Sequence, residues 1–122
     1  MQVGQTLTFT LPWPPAQLSP NARHAHWATL ARLKRRYRSV CGLMAMAAGA
    51  SRIGAPERLA VSMTFCPPDR RARDMDNCIA AMKAGLDGLA DATGIDDSRW
   101  SLRIERGEPV RGGAVVVTME SE

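Results

Sequence analysis

Residues 59–77 read LAVSMTFCPPDRRARDMDN and pass from a predicted strand into a cluster of charged side chains. Apolar residues alternate with small or polar ones over the first half, which is the period of a strand with one buried face. Proline cannot donate a ladder hydrogen bond, so Pro67 and Pro68 end this strand. Two carboxylates, Asp74 and Asp76, therefore follow a strand end and lie among arginines.

The preceding half of the chain predicts one further strand and one long helix. Apolar and threonine residues alternate over 6–11, and the run from Pro12 to Pro15 ends that strand. Apolar residues then recur at helical spacing from His26 to about Gly49, with most of the basic residues on the opposite face.

The region after the charged cluster predicts a second helix and two more strands. The helix runs from Asp76 or Asn77, either of which could cap it, to the vicinity of Gly94. Residues 100–105 alternate in polarity, and residues 114–119 are rich in valine. The turn between these two segments favours an antiparallel hairpin.

This order predicts an α+β fold: a small mixed, largely antiparallel sheet with two main helices packed on it, in the order strand, helix, strand, helix, hairpin. A chain of 122 residues with 45% hydrophobic content has enough apolar surface for one modest core. We therefore expect a single domain over residues 1–122.

Charge is distributed unevenly along the chain. The first 56 residues contain seven basic residues and no acid, whereas all 12 acidic residues follow from Glu57 onward. A one-signed half of this kind favours a polyanionic partner, and the alternative is a solvated helix face. The predicted first helix holds the densest basic group: Arg32, Lys34, Arg35, Arg36 and Arg38. Nucleic acid is the partner that this pattern favours.

The cysteines and the apolar pattern favour a cytoplasmic protein. Cys41, Cys66 and Cys78 are odd in number and lack the spacing of a zinc knuckle, which argues against a disulfide framework. Neither a signal peptide nor an apolar run long enough to cross a bilayer is recognisable in the sequence.

Three aspartates could hold a divalent cation. Asp74 and Asp76 are one residue apart at a strand-to-helix junction, and the loop that carries Asp97 could fold back to them. Hard, oxygen-ligated Mg²⁺ would neutralise phosphoryl charge and supply a nucleophilic water for phosphodiester hydrolysis. The alternative is that Asp76 caps the helix, Asp74 pairs with Arg70 or Arg73, and the Asp96–Asp97 pair forms a solvated turn.

Several other side chains have a structural and a functional interpretation. Lys83 lies seven residues after Asp76 on nearly the same helix face and could reach back toward the carboxylates, or could simply be exposed. Trp13 could stack on a base, whereas Trp27 lies on the apolar stripe of its helix and is predicted to be core. A surface role is expected for the histidines, His24 and His26.

Several ordered motifs resemble the RusA family of Holliday-junction resolvases over nearly the whole chain. These motifs are Leu11-Pro12-Trp13-Pro14-Pro15, Pro20-Asn21-Ala22-Arg23 with His26-Trp27, the signature from Pro68 to Asn77, and Ile95-Asp96-Asp97-Ser98. The resemblance implies a cytoplasmic homodimer, of phage or prophage type, that binds four-way DNA junctions. It also implies paired Mg²⁺-dependent nicks, with Mn²⁺ able to substitute, and no small-molecule cofactor.

The resemblance also implies roles for particular residues. Asp74, Asp76 and Asp97 match the metal-binding carboxylates, and Lys83 is the candidate for a catalytic lysine that the family usually places where this chain has Ala80. The residues expected to bind DNA are Arg23, Arg32, Lys34, Arg35, Arg36, Arg38, Arg70, Arg71 and Arg73. Two alternatives stay open: a non-catalytic DNA-binding protein such as a phage regulator, and a metal-dependent nuclease that acts on flaps or single strands.

Overall fold

The computed structural model describes residues 6–20, 22, 26–54 and 57–121. It contains four strands and three α-helices within these ranges. The strands are β1 (Thr6–Pro12), β2 (Leu59–Cys66), β3 (Trp100–Arg106) and β4 (Ala114–Ser121). The helices are α1 (Trp27–Ala47), α2 (Met75–Ala81) and α3 (Lys83–Thr93).

The strands form one sheet in the order β1-β4-β2-β3. β4 is antiparallel to both β1 and β2, whereas β2 and β3 are parallel. The predicted α+β class, with a mixed and largely antiparallel sheet and two main helices on it, is confirmed.

The predicted hairpin of the last two strands is wrong, because β3 and β4 lie on opposite sides of β2. The connection between them passes over the end of β2, where the Gly107 amide donates to the Phe65 carbonyl at 2.8 Å and the Val110 amide donates to the Pro67 carbonyl at 2.9 Å. β4 is almost continuously apolar, as a central strand requires, whereas β3 carries three charged residues and suits an edge.

The core lies between one face of the sheet and the helices. Leu59, Val61, Met63 and Phe65 all point into it from β2, as their alternation predicts. On the helical side, α1 and α3 pack against each other and against the sheet. The hydroxyl of Tyr37 ties α1 to β1 by donating to the Pro12 carbonyl at 2.7 Å.

Two glycines let α1 and α3 approach closely. A Cβ built on Gly88 would overlap the backbone carbonyl of Arg38 and come within 3.0 Å of the Gly42 amide nitrogen. A backbone carbonyl cannot move aside as a flexible side chain can, so the helix spacing depends on the missing side chain at Gly88.

The predicted second helix is interrupted. Met82 separates α2 from α3, although its backbone stays in the helical region with φ −83° and ψ −8°. Asp74, and neither Asp76 nor Asn77, occupies the N-cap position, and its side chain makes no capping hydrogen bond. Gly94 ends α3 in the left-handed conformation at φ 73°, as predicted.

Candidate metal and nucleic-acid site

Asp69 organises the loop that follows β2. Its carboxylate accepts the Arg71 amide at 3.0 Å and lies 2.9 Å from a guanidinium nitrogen of Arg73. The Arg71 amide first, and the Arg73 side chain after it, lower the pKa of Asp69. Sequence reasoning gave this aspartate no role, although an aspartate two residues before an arginine in a turn is a signal for such a side-chain-to-backbone bond.

Asp74 and Asp76 are both exposed at the start of α2. With the residues that the structure describes, neither carboxylate makes a hydrogen bond or an ion pair. The suggested pairing of Asp74 with Arg73 is not present, because Arg73 pairs with Asp69 and also donates to the carbonyls of Asp69 and Arg71. Asp69 thus engages the neighbouring arginine and leaves the two later carboxylates available to a ligand.

The adjacent Asp96 and Asp97 have different surroundings. Asp96 caps a short 3₁₀ turn by accepting the Ser98 amide at 3.1 Å, and hydrogen bonds from Ser98 lower the pKa of Asp96. Asp97 lies 3.7 Å from the Lys83 ammonium through its Oδ2. The second aspartate of the pair is therefore the one that faces the candidate lysine.

Lys83 joins α3 to the Asp97 loop. Its ammonium donates to Asp87 Oδ1 at 3.0 Å, and this hydrogen bond is the main reason that the pKa of Lys83 is raised; Asp97 contributes less. The ammonium therefore stays protonated at neutral pH. It is suited to donating hydrogen bonds and to stabilising negative charge, and not to accepting a proton.

The three predicted carboxylates are not grouped as one metal site within the described residues. Across residues 6–20, 22, 26–54 and 57–121, no three His, Cys, Asp or Glu side chains are close enough to hold an ion. Asp97 lies next to Lys83 in the structure. Asp74 and Asp76 are close to each other because only one residue separates them in the chain. Two exposed carboxylates without internal partners still fit a hard divalent cation by donor chemistry.

A basic groove of about 490 Å³ lies between α1 and the α2–α3 junction. Its charged lining consists of Lys34, Arg35, Arg38, Lys83 and Asp87. Ala80 lines the same groove as Lys83, so an ammonium carried from either position would enter one surface. Four cations against one carboxylate give the groove a positive potential suited to a phosphate backbone.

The other predicted DNA-binding residues differ in their surroundings. Arg32, Arg36, Arg70 and Arg71 are exposed. Arg38 is half-exposed and makes a bidentate pair with Asp91 of α3 at 2.6 and 2.8 Å, so it also holds the two helices together. Arg23 and His24 lie outside the described residues, as does Asn21 of the second motif.

The two tryptophans differ from one another. Trp27 is 76% exposed, so its prediction as core is wrong. Tyr37 is the first buried residue among the described residues of α1, because the first turns of the helix do not pack against the core. In these turns the Trp27 ring stacks on that of the N-cap residue His26, with ring centroids 5.7 Å apart. Trp13 is half-buried and packs edge-on against Phe65 with ring centroids 5.9 Å apart.

None of the helices in the described residues combines the length and apolar character that a membrane span requires.

Fold and site together define a small α+β protein with two available carboxylates near a basic groove. The chain is 41% identical over 120 residues to an uncharacterized protein of Xylella fastidiosa (strain Temecula1 / ATCC 700964). The aligned region covers 96% of this chain and 78% of the Xylella protein. It belongs to the same protein family as the Xylella protein. No protein-family model matches the chain.

Among solved structures, the chain is similar to thiamine-monophosphate kinase from Stenotrophomonas maltophilia K279a, with a TM-score of 0.35 and 13% identity. The similarity covers 97% of this chain and 31% of the kinase, so the chain spans less than a third of the kinase's length. A TM-score this low carries no argument about fold or function.

Proposed function

We propose that this protein is a Mg²⁺-dependent endodeoxyribonuclease that resolves four-way DNA junctions by paired nicks. The observation that carries the proposal is the availability of Asp74 and Asp76 at the start of α2, directly after a loop rich in arginine. Neither carboxylate has a partner among the described residues. The ordered motifs that resemble the RusA family supply the reaction and the junction as substrate.

Asp74, Asp76 and Asp97 are the residues that would hold the cation. When bound, Mg²⁺ would neutralise charge on the phosphoryl oxygens and lower the pKa of a bound water. Arg70 and Arg71 are exposed beside the carboxylates and would hold the adjacent DNA backbone.

Lys83 would act as an electrostatic group in the reaction. Its ammonium lies 3.7 Å from Asp97 Oδ2, and its raised pKa keeps the positive charge at neutral pH. A fixed cation next to a reacting phosphate stabilises the charge that develops in the transition state, and it also orients an attacking water.

The basic groove would position the junction. Its cations would neutralise phosphates and release counterions, so affinity should fall steeply as salt increases. A homodimer would present two such sites related by a two-fold axis, which accounts for paired cleavage of strands of like polarity.

A non-catalytic DNA-binding protein is the second candidate. The observation that favours it is that no group of three potential metal ligands forms in the described ranges, 6–20, 22, 26–54 and 57–121. In that case the acidic side chains are structural, and the basic residues of α1 do all the binding.

Cleavage of labelled four-way, flap, single-stranded and duplex DNA, with and without Mg²⁺, tests the proposal. We expect paired nicks in the four-way junction only, dependent on Mg²⁺. Binding without any cleavage would favour the non-catalytic alternative, and preferential cleavage of flaps or single strands would replace junction resolution with a different nuclease activity.

Exchanging the lysine position tests the role of Lys83. Lys83→Ala should reduce junction cleavage by about 100-fold, the usual effect of removing one transition-state donor. Adding Ala80→Lys should restore part of that loss, because both positions line the basic groove and Ala80 is exposed. Junction affinity measured in parallel should change by less than about tenfold. Full activity of Lys83→Ala would remove this residue from the mechanism.

Neutralising the groove should lower the salt dependence of binding. Replacing both Lys34 and Arg35 with alanine should reduce the slope of log K against log salt by about 2, since each phosphate contact contributes about 0.9. The matched control replaces Arg103 and Arg111, which do not line the groove, and should leave the slope unchanged. An equal reduction in both double variants would mean that DNA binding is not localised to the groove.

A further inference from the structure

A second cavity, the arginine pocket, lies at the end of β2 and is lined in part by the loop that holds Asp69. Its volume is about 190 Å³, less than half the 490 Å³ of the basic groove. The lining residues that matter chemically are Trp13, Phe65, Arg70, Arg71, Arg73 and Arg106. The pocket thus combines aromatic surface with several cations in a space fit for one small ligand.

The aromatic part of the pocket is held in place. Trp13 meets Phe65 edge-on with an interplanar angle of 87°, and Phe65 is buried in the core. A Cβ built on Gly113 would come within 2.8 Å of Trp13, so the Gly113 backbone packs directly against this side chain. An indole fixed in this way offers a rigid surface for stacking at little entropic cost.

The charged part favours an anion. Four guanidinium groups line the pocket with one carboxylate, Asp69, which is already paired with Arg71 and Arg73. Arg106 donates to the Arg73 carbonyl at 3.0 Å, which joins β3 to the loop. The Arg73 side chain is only 19% exposed, and its guanidinium carbon lies 5.9 Å from the centroid of the Trp13 ring. A cation next to an aromatic face matches a ligand that has both a flat ring and negative charge.

The pocket adjoins the candidate metal site along the chain. Arg73 and Met75 line it, and they flank Asp74 in sequence. A ligand in the pocket would therefore be a neighbour of the phosphate at which the carboxylates act.

We propose that the arginine pocket takes a single unpaired nucleotide of the DNA substrate, with its base against Trp13 and its phosphate among Arg70, Arg73 and Arg106. The inference rests on the proposed function, because that function makes DNA the source of the nucleotide. The cavity is too small for a base pair, so the nucleotide must leave the stack, which is least costly where pairing is already disturbed. At a branch point the stacking of base pairs is interrupted, which lowers the cost of moving one nucleotide out of the stack.

Three small probes separate the contributions of base and phosphate. They are 2-aminopurine deoxyribonucleoside 5′-monophosphate, the same nucleoside without phosphate, and deoxyribose 5-phosphate without a base. Binding is measured by calorimetry without divalent cations, and by fluorescence for the two probes that carry the base. We expect the nucleotide to bind about tenfold or more tightly than either half, with fluorescence quenched by stacking.

Variants connect that binding to the pocket. Trp13→Ala and Arg106→Ala should each weaken nucleotide binding about tenfold, and Trp13→Phe should keep most of it. The matched control is Trp27→Ala, which removes a tryptophan that does not line the pocket and should change nothing. Circular dichroism establishes that each variant is folded; Arg106 is exposed, so its variant keeps the test valid if Trp13→Ala unfolds.

The inference is overturned if deoxyribose phosphate binds as tightly as the nucleotide, because the pocket is then an anion site only. It is also overturned if Trp27→Ala weakens binding as much as Trp13→Ala. These measurements involve no cleavage, so a failure of the proposed nuclease activity would leave nucleotide binding intact. Conversely, junction cleavage with no nucleotide binding would overturn this inference and leave the proposed function standing.

Discussion

Replacing Asp76 by asparagine is expected to lower Mg²⁺-dependent junction cleavage at least about 100-fold while junction affinity stays within about threefold. Asparagine has the same shape but no charge, so it is a poorer ligand for a hard cation. Asp76 is exposed and has no partner among the described residues, and the substitution should therefore leave the fold unchanged. Cleavage rates are measured under single-turnover conditions, and affinity is measured without metal.

Asp96→Asn is the matched control for this experiment. Asp96 is also exposed, and its side chain caps the 3₁₀ turn by accepting the Ser98 amide, which asparagine can do as well. The control should cleave at nearly the wild-type rate. Wild-type cleavage by Asp76→Asn, or an equal loss in both variants, would contradict the assignment of Asp76 to the metal.

The fold should be most sensitive to Gly88→Ala. Alanine normally improves a helix relative to glycine by about 1 kcal/mol, so a stabilising change would be expected from propensity alone. The added methyl group would instead overlap the Arg38 carbonyl and push α1 away from α3. We expect the free energy of unfolding to fall by about 3 kcal/mol or more, as measured by equilibrium urea denaturation.

Gly94→Ala separates this steric effect from backbone strain. Gly94 has φ 73° and no atoms within 4 Å of a built Cβ, so its substitution should cost only about 1 kcal/mol through the left-handed conformation. If Gly88→Ala is as stable as the wild type, the close approach of α1 and α3 is wrong.

Local patterns were sufficient to predict the positions of the strands and, for β2, the buried face. β2 is the clearest example, because Leu59, Val61, Met63 and Phe65 are all buried and Pro67 follows its end. Period-2 patterns and proline act on neighbouring residues, so they can be recognised without knowledge of the tertiary structure.

The neighbours of β4 in the sheet are set by competition between strands that are distant in the sequence: β4 pairs with β1 and β2 and not with β3. A turn between β3 and β4 favoured a hairpin, but β4 gains more by inserting between β1 and β2, where Val115, Val117 and Met119 are fully buried. Leu102 of β3 remains 45% exposed at the edge. The charged residues of β3 were the available signal for an edge strand. They were a better guide to its position in the sheet than the turn that follows it.

The sequence predicts a set of candidate residues for the site but does not predict how they are arranged. Resemblance singled out Asp97 and spacing singled out Lys83, and the structure brings these two within 3.7 Å. Where the Asp97 loop lies depends on long-range contacts, such as the Arg99 side chain donating to the Glu57 carbonyl, that no local pattern encodes. The role of Asp69 in pairing with Arg73 was likewise invisible to spacing alone.

The central claim is that Asp74, Asp76 and Asp97 together hold a divalent cation. An anomalous difference map from a crystal soaked in Mn²⁺ tests it most directly. We predict one or two peaks at coordination distance, about 2.1 Å, from carboxylate oxygens of these three residues. A map with no peak there, with the three carboxylates apart and directed away from one another, would contradict it.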